Sequence, residues 1–267
     1  AMNKPQKDFK ILQAQPKRSL SQNFLTDEKP VRLLLEAAGI TKEDVVVEIG
    51  AGLGALTKEL VRKAGRVIAL EKDEKLAGLL AEQLKEPNLN VIAQDALTWK
   101  PPSGKYKVVG NLPYAVATPI VRKFLEEKNK PESITVMLQL EVALRIMAQP
   151  PKMNLLAASI QFYASPSFIA VVKRNSFWPQ PNVDSAIIFL SKIKTKTETE
   201  SRSFFRVLKA GFSQPRKQLR NNIASQLTME REEAGSWLSG HGIDSVRRAQ
   251  TLSLEEWMKL AKDLKSG

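Results

Sequence analysis

Val45-Val46-Val47-Glu48-Ile49-Gly50-Ala51-Gly52-Leu53-Gly54 is the stretch that decides the fold. It reads as an apolar strand, residues 45–49, running into a glycine turn and then into a helix at 55–64. Glycines there let the backbone approach a ligand without a Cβ clash. The first turn of the new helix offers free N–H groups. Outward from this point, apolar strands alternate with helical patterns: strand 66–70, helix 74–84, strand 90–93, strand 107–110, helix 119–127, strand 134–138 and helix 141–148. Such alternation predicts an α/β fold, a parallel sheet with helices on both faces. Upstream, the pattern predicts a helix with Thr26 as N-cap, Asp27 and Glu28 in its first turn and Gly39 at its end.

The pattern then changes. Residues 168–173 and 185–190 are strand-like, separated by Phe177-Trp178-Pro179-Gln180-Pro181 with no long helix between them. They predict an antiparallel pair closing the sheet edge. Residues 192–203 are mostly Lys, Thr, Glu and Ser and read as a linker. Helical patterns follow at 204–211, 216–227, 230–239 and 254–264, a small all-helical domain. The expected organisation is an arm and pocket segment at 1–25, an α/β domain at 26–195 and a helical domain at 196–267.

Composition narrows the chemistry. The 267 residues suffice for one large domain and a small one. Lys and Arg number 41 against 28 Asp and Glu, a net charge of +13. That excess points to a polyanion, most often nucleic acid, although a merely solvated basic surface gives the same sum. Residues 3–19 concentrate it, with Lys4, Lys7, Lys10, Lys17 and Arg18 against Asp8. There is no cysteine, which excludes disulfides, thiolate metal sites and cysteine nucleophiles. The single histidine, His241, lies between two glycines, so neither a histidine triad nor a histidine metal cluster is available, and no metal is expected. No apolar run approaches the ~18 residues that span a membrane, and no signal-peptide core precedes the first helix. A cytoplasmic monomer without membrane contact is expected. Ala1 before Met2 reads as a cloning remnant.

Three strand ends carry the candidate site. The glycine turn alone fits either S-adenosylmethionine or a nicotinamide dinucleotide, since Gly50, Gly52 and Ala55 also satisfy the dinucleotide fingerprint. Glu71, at the end of the next strand, is placed to hold ribose hydroxyls. Asp95, at the end of the third, can accept from an adenine amino group, or simply cap the turn that follows. Glycine loop, Glu71 and Asp95 together favour S-adenosylmethionine. The fourth strand ends in Asn111-Leu112-Pro113-Tyr114. The amino nitrogen of adenine is a poor nucleophile because its lone pair is delocalised into the ring. Two acceptors aimed at its hydrogens, the Asn111 side-chain oxygen and the Leu112 carbonyl, would localise that pair. Pro113 fixes the backbone and keeps Leu112 out of the helical region. Tyr114 can stack on the base, worth ~1–3 kcal/mol.

With these residues the chain resembles the ribosomal RNA adenine dimethyltransferase family, the bacterial small-subunit (KsgA-type) enzyme and its archaeal and eukaryotic relatives. The resemblance runs over nearly the whole chain. It implies a Rossmann-like S-adenosylmethionine-dependent methyltransferase sheet with a C-terminal helical domain. Gln22-Asn23-Phe24-Leu25 is similar to the family's segment lining the cofactor pocket, with Asn23 and Leu25 at contact positions. Gly50 falls on the glycine-loop contact, and Glu71 and Asp95 on the ribose and adenine carboxylates. Asn111 to Tyr114 fall on the catalytic tetrapeptide, and Phe177 on the aromatic expected at the other face of the target base. Residues 214–221 and 248–253 resemble signatures of the C-terminal domain. The chain departs from the pattern at Ala51, usually proline, at Ser21, usually glycine, at Leu140, where lysine is common, and at Met153-Asn154-Leu155-Leu156. The implied activity is transfer of methyl groups to N6 of two adjacent adenosines in a 3′-terminal hairpin of 16S ribosomal RNA. The implied partner is small-subunit ribosomal RNA or a pre-30S particle.

A target base must leave its stack to enter such a pocket. Lys17, Arg18, Arg216, Lys217, Arg220, Arg247 and Arg248 are the candidates for holding RNA phosphates, with Arg216 and Arg220 expected on one helix face. Two further readings compete. One is the 23S methyltransferase of the macrolide-resistance type, which often has isoleucine at the position of Leu112. The other is a non-enzymatic nucleic-acid-binding factor on the same fold, against which the intact acceptor and aromatic set argues.

Overall fold

The computed structural model describes residues 22–264. Lys17, Arg18 and Ser21 lie outside them. The described residues divide into two compact units, 22–143 with 165–193, and 144–164 with 194–264.

The first unit is built on a seven-stranded sheet. β1 (Phe24–Leu25), α1 (Glu28–Ala38), β2 (Val45–Ile49), α2 (Thr57–Lys63), β3 (Arg66–Glu71), α3 (Glu74–Gln83) and β4 (Leu89–Ala93) form its first half. β5 (Lys107–Asn111), α4 (Ala117–Glu126), β6 (Ser133–Gln139), the start of α5 (Leu140–Ile146), β7 (Ser165–Val172), β8 (Phe177–Trp178) and β9 (Ser185–Ser191) follow, while α6 (Leu155–Gln161), between α5 and β7 in the chain, belongs to the second unit. The order is β4-β3-β2-β5-β6-β9-β7. The first five strands are parallel. β9 lies antiparallel between β6 and β7, so the late pair closes the edge as expected. Chain order reverses between β2 and β5, and ligands of such sheets bind outside the strand ends at that switch.

The valine-rich strands are buried because both sheet faces are covered. Val46, Val67, Val109, Met137 and Ile187 form one core with Val31, Leu34, Leu35 and Ala38 of α1 and Leu60 and Val61 of α2. Each such buried Val, Leu, Ile or Met side chain is worth roughly 1.5–3 kcal/mol. The cap of α1 differs from expectation. Asp27 is the N-cap and accepts from the Lys29 N–H at 3.0 Å. Thr26 instead points its backbone N–H and hydroxyl at the Ser176 carbonyl, 2.9 and 3.1 Å away. Those bonds accompany a pairing not visible in the sequence: β1 and β8 form a two-stranded antiparallel ribbon with Leu25 opposite Phe177.

The second unit contains α7 (Glu198–Gly211), α8 (Leu219–Leu227), α9 (Arg231–Gly240) and α10 (Leu254–Lys262). The 192–203 linker is shorter than expected because Thr197 and Glu200 make a reciprocal capping box that starts α7 at Glu198. Residues 144–164, assigned from sequence to the α/β domain, pack in this unit. The Phe162 ring stacks on Phe204 at 4.0 Å, and the Tyr163 carbonyl accepts from Lys194 N–H at 2.7 Å.

Candidate active site

A cavity of about 910 Å³ opens at the ends of β2, β3, β4 and β5. Asn23, Leu25, Gly50, Glu71, Asp95, Asn111, Leu112, Pro113 and Tyr114 all line it. Its size suits a nucleoside-sized ligand together with a base.

The floor is the glycine turn. Gly50 has φ +75, and a Cβ there would lie 2.8 Å from the Asn111 carbonyl oxygen. Only glycine therefore lets β2 turn this close to the end of β5. A Cβ on Gly52, at φ +54, would meet the Phe24 ring at 3.1 Å. Glu71 holds the turn from behind. Its two carboxylate oxygens accept from the Gly52 and Asp73 N–H groups, each at 2.9 Å. Burial pushes the Glu71 carboxyl up, opposed by those two N–H donors.

Glu48 is the residue that sequence reasoning missed on this floor. It lines the cavity and is only 1 % exposed. Thr57 stands beside it, its hydroxyl and N–H working against the effect of burial, while Glu48 Oε2 has no hydrogen-bond partner among the described residues. Burial pushes the Glu48 carboxyl up to about 8. A charged residue inside a valine strand is the signal that could have drawn attention to it.

At the third strand end, Asp95 Oδ1 accepts from the Leu97 N–H at 2.9 Å, and Oδ2 takes the Lys72 ammonium at 2.8 Å. The Lys72 contact, followed by the Leu97 bond, holds its carboxyl below the usual range. Asp95 thus caps its own turn as well as facing the cavity.

At the fourth strand end, Asn111 Nδ2 donates to the Asn23 carbonyl at 3.1 Å. The amide nitrogen is thereby engaged, and its oxygen is the group left for a ligand. Gln22 donates to Asp73 at 3.3 Å, tying the same N-terminal segment to the loop after β3. Leu112 N–H donates to the Met137 carbonyl at 3.0 Å, which anchors the tetrapeptide to β6. Pro113, at φ −59 and ψ 125, leads into a 3-10 turn at Tyr114–Val116. The Tyr114 hydroxyl lies 2.6 Å from Ser185 Oγ, and burial raises the Tyr114 phenol. Ser185 carried no signal in the sequence.

Phe177 stands apart from the residues that line the cavity. Its ring is 4 % exposed, packs in the core with Leu25, Val172 and Ile187, and is not among the residues lining the cavity. Pairing of β8 with β1 turns that side chain inward.

The basic candidates in the second unit separate into two kinds. Arg216, Lys217 and Arg248 are exposed. Arg216 and Lys217 are not helical, because α8 begins only after Gln218, whose ψ of 147 is extended. The expected shared helix face of Arg216 and Arg220 is therefore absent. Arg220 donates to Gln218 Oε1 at 3.2 Å. Arg247 is committed internally: its guanidinium pairs with both Glu256 oxygens and with Thr251. Glu256 in turn completes the Ser253 capping box of α10. Among the described residues no group of three or more His, Cys, Asp or Glu is arranged to hold a metal.

A glycine turn after the first parallel strand, carboxylates at the next two strand ends and an Asn-Leu-Pro-Tyr turn at the fourth define a Rossmann-like, S-adenosylmethionine-dependent methyltransferase. The chain belongs to the ribosomal RNA adenine dimethylase family, whose family model matches residues 13–266. It is 44% identical over 253 residues to a "Ribosomal RNA small subunit methyltransferase A" of Dehalococcoides mccartyi strain CBDB1, covering 91% of this chain and 87% of that one. The protein of the same name from Listeria innocua is 40% identical over 266 residues, covering 93% and 90%. Among solved structures, the 23S rRNA methyltransferase ErmE is similar with a TM-score of 0.74 at 27% identity, covering 91% of this chain and all of that one. A dimethyladenosine transferase from Plasmodium falciparum has the same fold, with a TM-score of 0.77 at 22% identity over 89% of this chain and 95% of that one.

Proposed function

We propose that this protein dimethylates N6 of two adjacent adenosines near the 3′ end of small-subunit ribosomal RNA, using S-adenosylmethionine, in the cytoplasm during ribosome assembly. One observation carries the reading. The Asn111 amide is anchored through its nitrogen, so its oxygen is offered to a hydrogen-bond donor in the cavity that also holds the glycine turn, Glu71 and Asp95. Relatives 40–44% identical that are named for the small subunit support the choice of RNA.

The residues fit the cofactor on two counts. The Gly50 and Gly52 turn lines the cavity in a tight conformation that a Cβ would break by clashing with the Asn111 carbonyl and the Phe24 ring, and Glu71 and Asp95 line the same cavity as acceptors for ribose hydroxyls and an adenine amine. S-adenosylmethionine supplies an electrophilic sulfonium methyl. The protein's own work is orientation. The Asn111 side-chain oxygen and the Leu112 carbonyl accept the two N6 hydrogens of a flipped adenine, which pyramidalises the nitrogen and directs its lone pair. Tyr114 offers a stacking face for the ring. Catalysis of this kind rests on positioning rather than on proton transfer by a side chain, in keeping with a chain that has no cysteine and one histidine.

Incubating the protein with methyl-labelled S-adenosylmethionine and separated, unmodified ribosomal subunits tests the reading. Label is expected in the small subunit. Label confined to the large subunit would replace it with the 23S activity, and no label in either would leave a binding factor.

A further inference from the structure

Tyr114 is the one aromatic face that the tetrapeptide offers to the cavity, yet nothing in its local backbone fixes the ring. It sits at the start of a three-residue 3-10 turn outside the sheet ladder. A phenol so placed can turn about two side-chain torsions. Its hydroxyl, however, meets Ser185 Oγ at 2.6 Å. We infer that Ser185 is a positioning residue for methyl transfer, whose hydroxyl locks the Tyr114 ring at the angle that receives the adenine. The inference rests on the reading above, in which Tyr114 stacks on the target base.

Ser185 is suited to this because its backbone is held on every side. It is fully buried and opens β9, the strand held on both sides. It stands opposite Gln139 of β6 and Val172 of β7. The residue before it is pinned at three atoms. The Asp184 carbonyl accepts from the Leu140 N–H at 3.0 Å, Oδ1 accepts from the Arg174 N–H at 2.9 Å, and Oδ2 meets the Lys173 ammonium at 2.9 Å. The bond therefore ties a side chain on a short 3-10 turn to a buried strand residue paired on both sides. Burial raises the Tyr114 phenol, so its proton stays in place to complete the hydroxyl pair at physiological pH.

The test compares wild type, Ser185→Ala, Ser185→Thr, Tyr114→Phe and the double variant Ser185→Ala/Tyr114→Phe. Each is assayed on unmodified small ribosomal subunits, with S-adenosylmethionine affinity measured separately by calorimetry. Loss of ring orientation should lower kcat of Ser185→Ala by about 10- to 100-fold, with cofactor affinity unchanged. Ser185→Thr, which keeps the hydroxyl, should recover most of the rate. Tyr114→Phe removes the same bond and keeps the ring, so it should lose a similar factor, and the double variant should be no slower than either single one. Fluorescence of 2-aminopurine at the target position should be quenched on binding by wild type and by Ser185→Thr but not by Ser185→Ala. A merely structural serine would not produce that pattern. Wild-type kcat and quenching in Ser185→Ala, or additive losses in the double variant, would overturn the inference. If Ser185→Ala does not fold, Tyr114→Phe decides, and full activity there overturns it. Failure of wild type to methylate any subunit would instead strike at the proposed function.

Discussion

Asn111 shows how a single side chain acquires a chemical task from its surroundings. Its nitrogen is occupied by the Asn23 carbonyl, which leaves an acceptor where a donor would have been useless to an amine. Asn111→Ala should lower methyl transfer by about 100-fold or more, while calorimetry finds cofactor affinity nearly unchanged. Retained turnover would contradict the mechanism. Glu71 carries two loads, since the same carboxylate that faces the cavity also receives the Gly52 and Asp73 N–H groups. Glu71→Ala should therefore weaken S-adenosylmethionine by ~1.5–3 kcal/mol and lower the melting temperature together. A loss of affinity with no loss of stability would assign Glu71 to the ligand alone. The position of both at the cavity could be read in the sequence because each ends a strand whose apolar run is unmistakable. Phe177 was legible as to type, and its ring packs in the core beside Leu25. Its direction depends on pairing with Leu25, a contact between distant segments that no local pattern announces. Ser185 was silent for the same reason.

At the scale of elements, β2 and its turn concentrate the cost of the site. Gly50→Ala would force a Cβ to within 2.8 Å of the Asn111 carbonyl at φ +75. Backbone strain of that kind costs on the order of 1–3 kcal/mol, and urea denaturation should show it. Glu48 puts an acid inside the same strand. Its folded-state pKa is raised from 4.5 to about 8 by burial. The unfolded chain ionises this group first as pH rises, so the stability it allows is fully present below about 4.5 and is lost progressively toward about 8. Glu48→Gln has no such titration. The melting temperature of Glu48→Gln minus that of wild type should therefore grow across that interval and level off above it. Parallel curves would contradict a buried neutral Glu48. The parallel strands and the closing antiparallel pair could be read from apolar runs alone. Helix starts could not always be: α7 begins at Glu198 through the Thr197–Glu200 box, within a stretch whose polar composition reads as linker. Likewise α8 begins after Gln218, although charge and spacing allowed a start at Arg216.

For the molecule as a whole, a net charge of +13 suits a polyanionic partner, but does not say which cations would meet it. The structure divides them. Arg247 is spent on Glu256 and Thr251, so Arg247→Ala should destabilise the helical unit by roughly 2–3 kcal/mol by leaving the Glu256 carboxylate without its partner. Arg216→Ala, Lys217→Ala and Arg248→Ala should leave the melting temperature alone, weaken RNA binding and reduce the salt dependence of affinity by about one counterion each. Titrations at several salt concentrations separate these outcomes. What the cavity does to adenine is tested by nucleoside mass spectrometry of small-subunit ribosomal RNA. After incubation of unmodified subunits with S-adenosylmethionine and the wild-type protein, two adjacent adenosines should appear as N6,N6-dimethyladenosine, and neither should with Asn111→Ala. Methylation at another atom, or equal product from the Asn111→Ala protein, would contradict the account.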